Sequence, residues 1–401
     1  IELPRDTIDL PIDRPAPLPA SVEDSDAQTL AAAVDEAVAW INRAERPVIV
    51  FGVELVRFGL QDMVMDFIEK SGIPSTVTLL DKGAIQERHE SFLGVYAGGL
   101  GRDDVREYVE GSDCLIMLGT LLTDMNLGIY TARLDPARCI HATRDRLAIG
   151  LHTFERVGLE HFVAGLAGGG VVRRDAGEHP RAPLPEDVGV GAGGGGKPIT
   201  IDHLFHRLES FLTDEMVVIA DPGDALFASI DLPVQGARAF LAPAFYASLG
   251  YAVPAAIGAQ CACPDSRPLV LVGDGAFQMT GVELSTCAKY GLDPLVIVLN
   301  NGGYSTERLI LDGEFNDVQP WDFSKLPALL RAGRSAVVET AGDLDAALTA
   351  AGTRDGQFFL MEVRLDSQDF SPALIRLGER LKEAANAGKS TSAPAAAASH
   401  R

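Results

Sequence analysis

Leu269-Val270-Leu271-Val272-Gly273-Asp274-Gly275 and Leu295-Val296-Ile297-Val298-Leu299-Asn300-Asn301-Gly302-Gly303 are two apolar runs that end in glycines and polar oxygen donors. Runs this short, rich in β-branched residues and closed by turn formers, read as buried strands. Residues 280–290 between them read as a helix, with Thr280 as N-cap and Glu283 as its capping-box partner. Strand, helix and strand make a βαβ unit, whose crossover is right-handed and whose strands are parallel. Asp274 and Asn301 are therefore expected at one carboxyl edge of a sheet, where open α/β folds bind ligands. A carboxylate, an amide and glycine carbonyls are hard oxygen donors that suit Mg²⁺ or Ca²⁺ rather than zinc. An ion with so few protein ligands shares its shell with a phosphate, which points to a diphosphate cofactor.

These residues resemble the thiamin-diphosphate enzymes, and within them the pyruvate, indolepyruvate and phenylpyruvate decarboxylase group. The Gly-Asp-Gly…Asn-Asn signature is matched by Gly273-Asp274-Gly275 and Asn300-Asn301. The decarboxylase continuation is matched by Gly303-Tyr304-Ser305-Thr306-Glu307, followed by Phe315-Asn316-Asp317 and Trp321-Asp322. The resemblance implies an α/β chain of two doubly wound parallel-sheet domains, the middle and diphosphate-binding domains of that fold. It implies thiamin diphosphate, with Mg²⁺ on Asp274, Asn301 and the Gly303 carbonyl, and cofactor contacts at Gly273, Gly275, Ala276 and Tyr304. Within Ala247-Ser248-Leu249-Gly250-Tyr251, it implies that Leu249 wedges between the cofactor's two rings and that the Ala247 carbonyl accepts from its aminopyrimidine. Leu249 as plain core is the competing reading.

Asp224, in Asp221-Pro222-Gly223-Asp224, stands where many relatives carry a Thr or Ser on the diphosphate. An ionised Asp repels phosphate, so Asp224 reads either as lining of the site or as the N-cap of a helix over 225–230. Glu307 is the candidate for proton handling, which calls for a carboxyl whose pKa is raised by burial. A solvent-facing Glu in the first turn of a helix over 306–311 is the alternative. The implied reaction is decarboxylation of a 2-oxo acid of pyruvate, indolepyruvate or phenylpyruvate type to an aldehyde and CO₂. An acetolactate-synthase-like carboligase and a non-catalytic cofactor-binding subunit remain as alternatives.

Residues 1–25, with Pro4, Pro11, Pro15, Pro17 and Pro19, read as an extended connection. Helices and strands alternate over 26–167, a Rossmann-like middle domain with strands expected at 47–51, 76–80, 114–118 and 139–142 and helices at 31–42 and 61–70. Its first strand opens into Gly52-Val53-Glu54-Leu55, which is not a dinucleotide-binding turn. Gly168-Gly169-Gly170 and Gly193 to Gly196 bracket a linker over 168–197. A second domain is expected over 198–384, with a strand at 216–220, and a disordered tail over 385–401. The opening Ile1-Glu2-Leu3-Pro4-Arg5-Asp6 resembles the end of the family's pyrimidine-binding domain. The chain is thus expected to hold the metal–diphosphate half of a site, inactive until a homo-oligomer or a partner supplies the other half and its activating Glu.

The 401 residues carry 34 basic and 56 acidic side chains, a formal charge of −22. That balance disfavours nucleic acid and anionic membrane surfaces as partners. No apolar run reaches the length of a membrane span and no signal peptide is recognised, so a cytoplasmic location is expected. Five cysteines form no Cys-x-x-Cys pair and read as reduced thiols. His203 and His206 share a helix face with Asp202 beside them, no His-Glu-x-x-His motif accompanies them, and they read as surface or interface residues.

Overall fold

The structure is a computed structural model that describes residues 25–175, 177–181, 196–235 and 239–391, with side chains to residue 382. The proline-rich connection expected over 1–25 lies outside the described residues save for Ser25. Two sheets organise the rest. The first comprises β1 (Pro47–Phe51), β2 (Ser75–Thr78), β3 (Phe92–Tyr96), β4 (Cys114–Leu118), β5 (Cys139–Ala142), β6 (Leu147–Ile149) and β7 (His152–Phe154). Its spatial order is β3-β2-β1-β4-β5-β6-β7, parallel through β5 and antiparallel from there to its edge.

The second sheet comprises β8 (Met216–Ala220), β9 (Phe240–Leu241), β10 (Arg267–Gly273), β11 (Leu295–Asn300), β12 (Arg334–Val338) and β13 (Phe359–Arg364). Its order is β12-β13-β11-β10-β8-β9 and every pairing is parallel. Central strands of both sheets are buried along nearly their whole length, which is why they read as unbroken apolar runs. Register levels the strand ends that matter: Leu271 lies opposite Ala220, Gly273 opposite Leu299 and Asn300 opposite Arg364.

The helix expected over 280–290 is broken. Asp274–Thr280 is one helix, Gly281–Glu283 a 3₁₀ turn and Leu284–Tyr290 a second helix. Thr280 holds the N-cap position of the 3₁₀ turn but makes no side-chain cap there, because its hydroxyl donates to the Gly250 carbonyl at 2.8 Å, and Glu283 accepts weakly from Thr286 instead of closing a capping box. The first helix, expected over 31–42, runs Ala27–Arg43, because Asp26 caps it by accepting from Thr29 N at 2.9 Å. The segment expected over 76–80 stops pairing at Thr78 and tightens into the 3₁₀ turn Leu79–Asp81. The first part of the expected linker is fixed to the first domain. Arg174 donates to the carbonyls of Ala44 and Ile41 at 2.9 and 2.7 Å, and Arg102 donates to that of Arg181 at 2.9 Å. Residues 182–195 lie outside the described residues. The expected disordered tail is helical as far as Thr391, within Pro372–Thr391, because Leu381-Lys382-Glu383-Ala384-Ala385 continues its run of strong helix formers. Residues 392–401 of that tail lie outside the described residues.

The two domains are joined by charge as well as by packing. Glu87 is buried, accepts from Lys82 at 2.8 Å and from the peptide N–H of Val234 in the second domain at 3.1 Å. The C-terminal helix straps both domains. Arg376 donates to the Leu100 carbonyl at 2.9 Å and to Asp231 at 2.6 Å, and Arg380 pairs with Asp103 at 2.9 Å.

Candidate functional site

A cavity of about 260 Å³ opens at the carboxyl ends of β8, β10 and β11. The candidate catalytic, cofactor and metal residues all line it: Asp224, Ala247, Leu249, Gly273, Asp274, Gly275, Ala276, Asn301, Gly303, Tyr304 and Glu307. The first domain adds Met125 and Ile129, which nothing in the sequence pattern marked.

Asp274 follows the last residue of β10 and is almost wholly buried. Its Oδ1 accepts from Gly275 N at 2.7 Å, and its Oδ2 from Gly302 N at 2.7 Å and Gly303 N at 3.1 Å. These bonds bring the end of β10 and the loop after β11 onto one carboxylate. Burial pushes the Asp274 carboxyl up to about 6, against the pull of the three N–H groups and of Arg308. Asn301 is anchored by its Nδ2, which donates to Ser305 Oγ, and its Oδ1 accepts from Gly303 N at 3.3 Å. Glycine is required at 303, because a Cβ there would lie 2.2 Å from the Asn316 carbonyl oxygen. Asn300, the other half of the pair, serves the scaffold: its Nδ2 donates to buried Glu362 of β13 at 3.0 Å.

The donor set fits a hard divalent cation. A buried carboxylate at the end of β10 meets an amide oxygen and a glycine carbonyl from the loop after β11, and each is an oxygen donor. Among the described residues no group of three His, Cys, Asp or Glu side chains forms a metal cage. An ion at Asp274 would have to complete its shell from amide and carbonyl oxygens and from a bound ligand.

The turn carrying Leu249 is built by a residue the sequence reading did not assign to it. Asp221, at the end of β8 and fully buried, accepts from Gly250 N at 2.9 Å and Ala252 N at 2.8 Å, and burial pushes its carboxyl up to about 6. Ala247 adopts a left-handed φ of 58°, with its N–H on the Pro243 carbonyl at 2.8 Å. Leu249 is 39 % exposed, which removes the plain-core reading.

Asp224 is not an N-cap. Gly223, at φ 97°, holds the cap position, and Asp224 is the first residue of the helix Asp224–Ala228. Its carboxylate turns instead to Ser371, accepting from that residue's N–H at 2.9 Å and from its hydroxyl. Burial raises the Asp224 carboxyl to about 6, with Asp369 adding to the effect. Glu307 belongs to the helix Ser305–Ile310, one residue off the expected span, and is exposed at the cavity mouth. The burial that proton handling calls for is not supplied by the described residues. His203 and His206 lie on the helix Ile201–Phe211, away from this cavity's lining.

Known proteins match both halves of the chain. Residues 34–165 match the central domain of thiamine pyrophosphate enzymes, and residues 223–363 match their C-terminal TPP-binding domain. An indole-3-pyruvate decarboxylase of Azospirillum brasilense is 33 % identical over 380 residues, which are 94 % of this chain and 68 % of that protein. An alpha-keto-acid decarboxylase of Mycobacterium tuberculosis is 33 % identical over 298 residues, 73 % of this chain and 53 % of its own length. One from Mycobacterium avium is 33 % identical over 310 residues, 76 % of this chain and 55 % of its own length. The chain thus spans 53–68 % of the length of these curated relatives.

Proposed function

The chain belongs to the thiamine pyrophosphate enzymes, and from that membership we propose that it supplies the metal–diphosphate half of a 2-oxo-acid decarboxylase site. The observation that carries the reading is the convergence of Asp274 and the Asn301–Gly303 loop on one cavity at the ends of adjacent parallel strands. On this reading Asp274, Asn301 and the Gly303 carbonyl hold Mg²⁺. Gly273, Gly275, Ala276 and Tyr304 border the diphosphate, and Asp224 lines the wall without touching phosphate. When bound, thiamin diphosphate supplies the nucleophilic carbon and the electron sink of the decarboxylation.

The chain's residues supply placement and proton control. Leu249 stands out from its Asp221-anchored turn and would pack against the cofactor's rings, and the Ala247 carbonyl would be the acceptor for its aminopyrimidine. Glu307 at the mouth handles the proton or the charge near the departing carboxylate once the mouth is covered. Phe245, Tyr246, Met279 and Val282 are exposed apolar side chains on segments beside the cavity or its Leu249 turn, which suits cover by a pyrimidine-binding domain from another subunit or chain. The substrate class is a 2-oxo acid of the indolepyruvate or related type, and the product an aldehyde and CO₂. A cytoplasmic, oligomeric enzyme accords with this, and no described helix is long and apolar enough to cross a membrane.

The test combines this chain with a family pyrimidine-binding domain and follows aldehyde by coupling to alcohol dehydrogenase. Aldehyde is expected from phenylpyruvate, indolepyruvate or pyruvate with both parts present, and neither aldehyde nor Mg²⁺-dependent cofactor binding with Asp274→Ala. Acetolactate in place of aldehyde would move the chain to the carboligases. Unchanged calorimetric binding in Asp274→Ala would remove the metal assignment.

A further inference from the structure

Three successive peptide carbonyls follow β11, those of Asn301, Gly302 and Gly303, and the first two are already occupied. Arg308 is buried with 8 % exposure, and its guanidinium lies directly against this loop. Nη1 donates to the Asn301 carbonyl at 3.2 Å, and Nη2 to the Gly302 carbonyl at 2.9 Å. The same side chain reaches Asp317 at 2.8 Å and the Ser367 carbonyl at 3.5 Å. Among the described residues no hydrogen bond falls on the Gly303 carbonyl. A Cβ at Gly303 would lie 2.5 Å from Nη2, so the glycine is also what admits the guanidinium to the backbone.

We propose that Arg308 is a positioning residue for the metal loop: it holds the Asn301 and Gly302 carbonyls away from the cavity and leaves the Gly303 carbonyl for the cation. This rests on the metal assignment proposed above. The chemistry favours arginine, whose planar fork of donors is fixed in direction, whereas an ammonium is a point charge on a flexible stem. Asp274 pulls the same loop from the other side through the N–H groups of Gly302 and Gly303. The loop is therefore held by its N–H groups on the cavity side and by its carbonyls on the far side. The Gly302 carbonyl also accepts from the Val318 N–H at 3.2 Å. Released from Arg308, it would keep that weaker bond while the Asn301 carbonyl lost its guanidinium partner, and the peptide plane that presents the Gly303 oxygen would be less firmly held.

The experiment titrates Mn²⁺ into the full chain with thiamin diphosphate present and reads free Mn²⁺ by electron paramagnetic resonance. Arg308→Met is expected to weaken Mn²⁺ binding ~10–100-fold, as loss of groups that orient metal ligands typically does. Arg308→Lys is expected to fall between it and the parent. Circular dichroism and the thermal midpoint without metal report the fold separately. A folded Arg308→Met that binds Mn²⁺ within about twofold of the parent, far short of the usual loss, overturns the proposal even if its midpoint has dropped. If Arg308→Met does not fold, Arg308→Lys decides: weakened binding supports the proposal and parental affinity overturns it. A parent chain that binds no Mn²⁺ overturns the metal assignment, and this inference with it.

Discussion

Asp224 carries a carboxyl into the cavity wall at 7 % exposure, and among the described residues its polar relief is Ser371. Its folded pKa, about 6, lies above the ordinary 3.8, so the bound proton stabilises the fold. That contribution is fully present below 3.8 and is lost as pH rises through about 6. Asp224→Asn keeps an acceptor for Ser371 N and a donor for its hydroxyl, but does not titrate. The stability difference between the variant and the parent is expected to move toward the variant by on the order of 2–3 kcal/mol between about pH 4 and pH 7. Urea unfolding of both chains across that range measures it, and parallel curves would show that the proton is not held. Asp221 and Asp274, also raised to about 6 by burial, add slopes of the same sign in the metal-free chain. For Asp274 a bound cation would reverse the sign, because it favours the ionised form.

The C-terminal helix Pro372–Thr391 is the element that ties the cavity wall to the first domain. It starts beside Ser371, which holds Asp224, and Gly378 lets it approach Leu309 on the helix that carries Glu307. Arg376 supplies its charged hydrogen bonds to Leu100 and Asp231. Arg376→Ala is expected to cost ~1.5–3 kcal/mol, the range for hydrogen bonds to charged groups. Faster amide exchange across 372–382 and 98–100 is the measurement, and unchanged exchange would show the strap to be held by packing and the Arg380–Asp103 pair without Arg376. Much of this layout was legible beforehand. β1, β4, β5 and β8 fall at their expected residues, because buried parallel strands are short apolar runs with clear ends. β3 escaped because Gly94 interrupts Phe92-Leu93-Gly94-Val95-Tyr96, and β12 because Arg334-Ser335-Ala336 is polar at its start. The break at Gly281 has a tertiary cause, the Thr280 bond to Gly250 across the sequence. The site followed the same division. Asp274 and Asn301 could be placed by strand ends, whereas Arg308, Asp221, Glu362 and Ser371 act through partners chosen by folding.

At the scale of the molecule, a buried ion pair sits on the seam between domains. Lys82 and Glu87 have side chains 1 % and 3 % exposed, and Glu87 also takes the Val234 N–H from the second domain. Removing one partner leaves a buried charge with half its support. Lys82→Met is expected to cost ~3–5 kcal/mol, and the double variant Lys82→Met with Glu87→Leu to recover part of it. Denaturant unfolding of the three chains checks this; a single variant as stable as the parent would show that the pair is not what joins the domains. Because that seam also brings Met125 and Ile129 to the cavity, loosening it should be felt at the site as well as in stability.

Ala247 sits in a left-handed conformation that an L-residue holds at a cost of ~1–2 kcal/mol. A glycine would relieve that strain, yet it would lose ~0.4–1 kcal/mol through the greater freedom of its unfolded chain. On these magnitudes glycine is the more stable choice by up to ~1.6 kcal/mol, so stability is not what the alanine serves. The two residues differ in breadth. With alanine the turn has few neighbouring conformations to visit, whereas a glycine there would sample several before any ligand arrived. The strained residue makes the turn a narrow ensemble in advance, and that readiness would appear as a faster and less entropically costly capture of the ligand.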